Sequence, residues 1–435
     1  MNNPDILIIG GGAAGLMAGH ILAKAGKKVT LLEARNRCGG RIHTLHNELF
    51  FKKAELGAEF IHGNLPVTLQ LLKEAGIAYH HAEAEMWHYK NGKFSTENAF
   101  NEDWDVLMKE LGELKKDITI ENFLQNEFPG DKYNSLKSWV RKFVSGYDTA
   151  DTERASSFAL RREWQGDDDD DAQYRLKNGY SAMINYLEDE LKSNGGLICL
   201  NSAVKEIRWH SGEVNATTVD GMVYSAEKIL VALPLGVLQA KAGERGAVSF
   251  VPPIPAQIEA INNIGFGAII KILLEFDKVF WEDMQTEHLA GKSLKNMGFL
   301  LSDEEIPTWS TQLPQHSAVL TGWLGGPAAA RKKDAGDEVL LQQSLQSLSN
   351  IFKRPTEELK RMLVSFHIVN WTNEPFTRGS YAYDTVESPS ARKVLAKPIE
   401  NTIFFAGEYL YDGPAMGTVE AALTSGKQAA ERIIG

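Results

Sequence analysis

A chain of 435 residues exceeds what one compact core usually holds, so two domains are the default expectation. Its composition, 43% hydrophobic and 24% charged, is that of an ordinary soluble protein and demands neither disorder nor a coiled coil, and a formal charge of −11 disfavours nucleic acid and modestly favours a cationic substrate. No segment has the apolar length to cross a bilayer, the start lacks a basic and apolar leader, and Cys38 and Cys199 supply neither a disulfide scaffold nor a metal site; a cytoplasmic protein with free thiols and no metal is expected.

The first apolar run, Ile6-Leu7-Ile8-Ile9, predicts a strand, and Gly10, Gly12 and Gly15 predict a tight turn into a helix. A second apolar run over 29–32 is closed by Glu33. This order is that of a dinucleotide cradle: glycine lets the backbone approach a pyrophosphate, the helix start offers free N–H groups, and the carboxylate accepts hydrogen bonds from an adenosine ribose while disfavouring a 2′-phosphate. The motif does not separate a nicotinamide from a flavin.

Beyond a glycine-bearing loop, Pro66 opens a helix over 67–75, and Trp104, Leu107, Met108 and Leu111 recur at helical spacing in a stretch, 101–147, expected to be mainly helical. The five consecutive aspartates 167–171 read as a solvated loop, without the alternating spacing of a calcium loop. A helix over 180–191, a strand over 197–200, a hairpin from Val204 and a buried strand over 228–233 follow. Strands over 269–276 and 364–366 belong to an inserted sheet, and a strand over 402–407 precedes a helix over 418–434. The class is therefore α/β, with a Rossmann-like nucleotide fold built from both ends of the chain and the middle left for the substrate.

The chain resembles the flavin-containing amine oxidase family over nearly its whole length. The resemblance is carried by residues 10–15, by Glu33-Ala34-Arg35-Asn36-Arg37-Cys38-Gly39-Gly40-Arg41, by Leu56-Gly57-Ala58-Glu59-Phe60-Ile61-His62-Gly63 and by Leu233-Pro234-Leu235-Gly236-Val237-Leu238. It returns in Trp371 with Arg378-Gly379-Ser380-Tyr381 and in Phe405-Ala406-Gly407-Glu408. It implies an FAD-binding domain from segments 1–80, 176–238 and 372–435, and a mixed-sheet and helical substrate domain from 81–175 and 239–371. The implied FAD contacts are Gly10, Gly12, Ala14, Gly15, Glu33, Ala34, Arg35, Gly40, Arg41, Gly57, Ala58, Val204, Gly407, Glu408, Thr418 and Val419. Arg41 can neutralise the pyrophosphate. Glu408 is expected to fix ribityl or phosphate-adjacent hydroxyls, and the Val204 backbone to meet the adenine.

For chemistry the resemblance singles out Lys271, Tyr381, Trp371, His62 and Thr418. A cation inside the apolar run 269–274 is costly to bury without a partner; its plain alternative is an edge lysine with its head in solvent. By resemblance, Lys271 holds a water against flavin N5. Tyr381 matches one aromatic wall beside the ring, Thr418 stands where relatives carry a second tyrosine, and His62 lines the substrate cavity in the polyamine-oxidising branch. Glu59 offers a negative end for an ammonium if strand alternation does not turn it away. Phe60 stands where the L-amino-acid-oxidising branch often has a carboxylate-binding arginine. Ser380 cannot form the thioether of some relatives, so the FAD is expected to be non-covalent.

The implied reaction oxidises a primary or secondary amine, polyamines included, to an imine, with molecular oxygen reduced to hydrogen peroxide. The competing readings are a flavin dehydrogenase or desaturase acting on a non-amine, an L-amino-acid oxidase, and a non-catalytic flavin-binding protein. The particular amine and a homodimer are left open.

Overall fold

The computed structural model describes residues 4–96, 103–165 and 172–435; the aspartate run lies outside them. Five parallel strands form one sheet in the order Leu197–Cys199, Val29–Leu32, Ile6–Ile9, Lys228–Val231, Ile403–Phe405. Its central strand alternates between two cores: Ile6 and Ile8 pack on one face, Leu7 and Ile9 on the other. A near-continuous apolar run is what a parallel strand covered on both sides requires.

The helix Ala13–Lys24 rises from the first strand and packs against the last helix, Val419–Ile434. The two backbones come so close at one point that a Cβ on Gly426 would lie 2.2 Å from the carbonyl oxygen of Ala14. The nucleotide fold thus joins both chain ends, as expected from the sequence, but it also takes two of its five strands, Leu197–Cys199 and Lys228–Val231, from the middle of the chain. The anticipated hairpin is also present, Val204–His210 pairing antiparallel with Glu213–Thr218.

A second sheet of seven strands contains Ile269–Phe276 between Leu363–Val369 and Val319–Gly325, both antiparallel to it. Ile270, Ile272 and Leu274 enter a core shared with Trp281, Trp309 and the helix Asp337–Phe352. The two-residue period of a strand therefore turns Ile269, Lys271 and Leu273 to the opposite face. Helices Trp104–Glu113, Ile120–Glu127, Asn134–Gly146 and Ser157–Trp164 form a separate cluster around Phe123, Phe128 and Leu136. Leu107 and Leu111 are buried in it, as their spacing predicts. Among the described residues no helix is long and apolar enough to cross a membrane.

Candidate active site

One cavity of about 1500 Å³ runs from the glycine turn at the five-stranded sheet to the Lys271 face of the seven-stranded sheet. Gly10, Gly12, Ala14, Glu33, Ala34, Arg35, Gly40, Arg41, Gly57, Ala58, Val204, Gly407, Glu408, Thr418 and Val419 line it, as do Lys271, Tyr381, Trp371 and His62. Gly15 does not. A Cβ there would meet the Gly10 carbonyl oxygen at 2.0 Å, so this glycine serves the close approach of helix to turn.

At the nucleotide end, Gly12 caps the first helix, and a Cβ added to it would meet no atom within 4 Å. The missing side chain leaves open cavity beside a helix N-terminus, which suits a phosphate. Gly40, at φ +57°, crosses above, its own added Cβ 3.5 Å from the Gly12 Cα. Glu33 is buried, with Oε2 accepting from the Gly11 N–H at 2.8 Å and Oε1 from the Arg35 N–H at 2.9 Å. Each carboxylate oxygen has lone-pair capacity remaining for a diol.

Arg41 ties this end to the loop that carries Ser380 and to Glu408, just beyond the strand Ile403–Phe405. Its Nη1 donates to the Ser380 carbonyl at 2.5 Å and to Glu408 Oε1 at 3.0 Å. Buried Glu408 also accepts from the Ala382 N–H, at 3.3 and 3.2 Å to its two oxygens. Trp371 is fixed by its Nε1–H donating to the Leu56 carbonyl at 2.8 Å. At Gly57 a Cβ would fall 1.7 Å from the Arg41 carbonyl oxygen, so glycine is required for the loops to meet.

Lys271 is not an edge residue: it sits mid-sheet and is only 1% exposed. Its Nζ donates at 2.6 Å to Glu59 Oε2 and at 3.2 Å to the Gly57 carbonyl. Glu59 Oε1 accepts from Arg175 Nη1 at 2.5 Å. Burial alone would raise this carboxyl, but Lys271 and Arg175 outweigh it and hold Glu59 down at about 2. Alternation could not foretell this, because residues 56–60 form no strand. Glu59 therefore answers to the chain's own cations rather than standing free for a substrate ammonium. Arg175 lies 4.2 Å over the Phe60 ring and donates its other nitrogen to the Thr311 carbonyl at 3.0 Å.

On the cavity wall, Tyr381 donates its phenol to the Tyr147 carbonyl. Burial, reinforced by Asp148, holds that phenol protonated. The ring rests on Gly417, where a Cβ would be 2.8 Å from Tyr381 Cδ2. Thr418 spends its hydroxyl on the last helix, donating to the Ala415 carbonyl at 2.6 Å and accepting from the Ala421 N–H at 3.3 Å. His62 has its pKa lowered by burial and presents a neutral imidazole near neutral pH.

The structure adds residues that the sequence reading missed. Trp139, Phe143 and Tyr147, one turn apart on one helix, all line the cavity, with centroids 5.2 and 5.3 Å apart in stacked pairs. Their i, i+4, i+8 spacing was the available signal. Asp148 and Glu163 also line it and act on each other electrostatically. Burial followed by the charge of Glu163 raises Asp148, and burial pushes Glu163 up to about 7. Arg162 lines the same region, but its guanidinium faces Asp384 at 3.2 Å and Asp412 at 3.7 Å.

Comparison with known proteins agrees with this architecture. The chain is 30% identical to human lysine-specific histone demethylase 2 over 99% of its length and 53% of the relative. It is 28% identical to polyamine oxidase 4 of Oryza sativa subsp. japonica, covering 98% of this chain and 88% of that one. It spans about half the length of the histone demethylases it matches. Among solved structures, putrescine oxidase bound to putrescine superposes with a TM-score of 0.80 at 19% identity, over 100% of this chain and 99% of the other. Cyclohexylamine oxidase from Brevibacterium oxydans IH-35A gives 0.79 at 19% identity, with 99% of both chains covered. The profile of the flavin containing amine oxidoreductases matches residues 13–434, and the chain belongs to that family.

Proposed function

We propose that this protein is an FAD-dependent amine oxidase, and that its preferred substrates are amines carrying a second ammonium group. The observation that carries the reading is the continuity of one cavity from the Gly12 and Glu33 cradle to Lys271, Trp371 and Tyr381. The cradle fits FAD: the space beside Gly12 takes the pyrophosphate, and Glu33 takes the ribose hydroxyls. Arg41, Glu408 and the Gly57 turn stand between that end and the catalytic end, where the middle of the cofactor belongs. With Ser380 in place of a flavin-bonding cysteine, the cofactor is held non-covalently.

Bound flavin supplies the two-electron acceptor for cleaving the carbon–hydrogen bond next to nitrogen, and oxygen regenerates it with release of hydrogen peroxide. The chain's own residues orient and exclude. Trp371 is locked by Leu56 and Tyr381 by Tyr147, so both rings are rigid walls for a small amine. The substrate must lose its ammonium proton to free its lone pair, and the imidazoles of His62 and His88 on the cavity wall, both lowered by burial, stay uncharged and add no positive charge against an incoming amine. Lys271 turns toward the cavity with a positive charge that meets the negative charge reduction brings.

The aromatic row and the Asp148–Glu163 pair support the diamine preference, because a flexible cationic chain is matched by stacked rings ending in carboxylates. Glu163 is protonated below its raised value and ionised above it. The KM for diamines is therefore expected to fall as pH rises through about 7, while the KM for a monoamine of equal length lacks that inflection. Glu163→Gln should raise KM for the diamine roughly tenfold above pH 7 and remove that inflection, with kcat little changed. Equal effects on both substrates would remove the pair from recognition.

The deciding experiment is anaerobic mixing of the yellow holoprotein with putrescine, spermidine, a monoamine and an L-amino acid. Bleaching by the amines, with peroxide on admission of air, is expected. A protein that takes up no FAD, or whose FAD is bleached by none of them, would overturn the reading.

A further inference from the structure

The ammonium of Lys271 reaches the cavity as the end of a buried row of three charges contributed by distant segments. Lys271 comes from the strand Ile269–Phe276, Glu59 from the irregular segment before Ile61, and Arg175 from the strand Gln173–Leu176. Their side chains are 2%, 8% and 12% exposed, and the links are 2.6 and 2.5 Å. Two cations flank one carboxylate. A neutral pair would satisfy burial at lower cost, since desolvating a second unmatched charge is expensive. The row therefore leaves one net positive charge inside the wall, and its exit is the Lys271 end, because Arg175 does not line the cavity.

Geometry restricts that exit further. An ammonium has three N–H bonds, and Glu59 and the Gly57 carbonyl accept two of them. Tetrahedral geometry then sets the direction of the third. Glu59 is held from its other oxygen by Arg175, which in turn is anchored to the Thr311 carbonyl and lies against Phe60. Glu55 is the other acidic group facing this row; burial raises its carboxyl, so it adds little opposing charge, and it is occupied by the Tyr180 N–H at 2.9 Å and the Thr44 hydroxyl.

We infer that Glu59, braced by Arg175, is the positioning residue of Lys271: it fixes the free N–H of the ammonium toward the cavity and keeps a net positive charge at the flavin-facing wall. This rests on the placement of Lys271 beside the flavin proposed above. Glu59 also borders the cavity, but its two oxygens are taken by Lys271 and Arg175, so it acts through Lys271.

The test compares Glu59→Gln, Glu59→Asp, Lys271→Met and the Glu59→Gln/Lys271→Met double variant in the full chain. Glu59→Gln should slow reoxidation of the reduced holoprotein by oxygen roughly tenfold. It should also displace the visible absorption bands of bound FAD, with anaerobic reduction by amine changed by less than about threefold. The double variant should be no slower than Lys271→Met alone, because a positioning residue has nothing left to position. In FAD-free protein, Glu59→Gln should lower the melting temperature more than the double variant does, since it strands two buried cations. Glu59→Asp keeps the charge and the fold but withdraws the carboxylate by one methylene, and should show the same selective slowing in weaker form.

Normal reoxidation and unshifted bands in Glu59→Asp or Glu59→Gln, beside a slow Lys271→Met, would overturn the inference and leave the flavin-facing lysine standing. Normal reoxidation in Lys271→Met would overturn both.

Discussion

Lys271→Met is expected to retain FAD and still be reduced by amine, yet to be reoxidised by oxygen about a hundredfold more slowly than the wild type. The expectation follows from where the charge sits. Lys271 is buried on the cavity wall, so its field is little screened by water, and a preorganised charge there acts on the reacting centre without reorganisation. Methionine preserves the length of the side chain and its fit among Ile269 and Leu273. The fold should survive, because Glu59 keeps its link to Arg175 when Lys271 is neutralised. Rapid-mixing measurement of the two half-reactions separates the steps; equal loss in both would assign Lys271 a structural role.

Gly12→Val should abolish FAD retention while leaving the FAD-free protein folded. Gly12 has φ −79°, an ordinary value for any residue, and its Cβ would enter open space. The branched side chain would fill the volume assigned to the pyrophosphate, and a loss of at least about a hundredfold in affinity is expected. Gly15→Ala is the contrast: its Cβ would strike the Gly10 carbonyl oxygen at 2.0 Å, so the FAD-free protein itself should be destabilised. Cofactor absorbance after gel filtration, with melting curves of the FAD-free variants, distinguishes the two. Wild-type flavin content in Gly12→Val would remove the pyrophosphate from that space.

These two glycines show what a sequence discloses and what it hides. Both belong to one short motif, and local patterning placed the strand, turn and helix around them correctly. It could not tell that one faces the cavity and the other the protein, since that depends on how helix and strand pack. Lys271 was legible as a buried cation because an apolar strand on both sides made it anomalous. Its partners were not: Glu59 and Arg175 lie 212 and 96 residues earlier in the chain. A shorter separation, 36 residues, was still enough to hide the contact of Tyr381 with Gly417. The residue that sequence matching placed opposite this ring, Thr418, gives its hydroxyl to helix capping. Asp148 and Glu163 lie fifteen residues apart, and nothing in either neighbourhood announces that the two carboxyls meet on one cavity wall.

The seam between Ala14 and Gly426 bears on how the protein acquires its cofactor. The first helix emerges from the ribosome more than four hundred residues ahead of the surface it must rest on. Contacts of such long sequence separation form late and at high entropic cost. The nucleotide turn should therefore wait, incompletely supported, through most of translation, and FAD should load after synthesis rather than during it. Ribosome-bound chains stalled before residue 419 are expected to capture no flavin, even where their middle sheet has already folded.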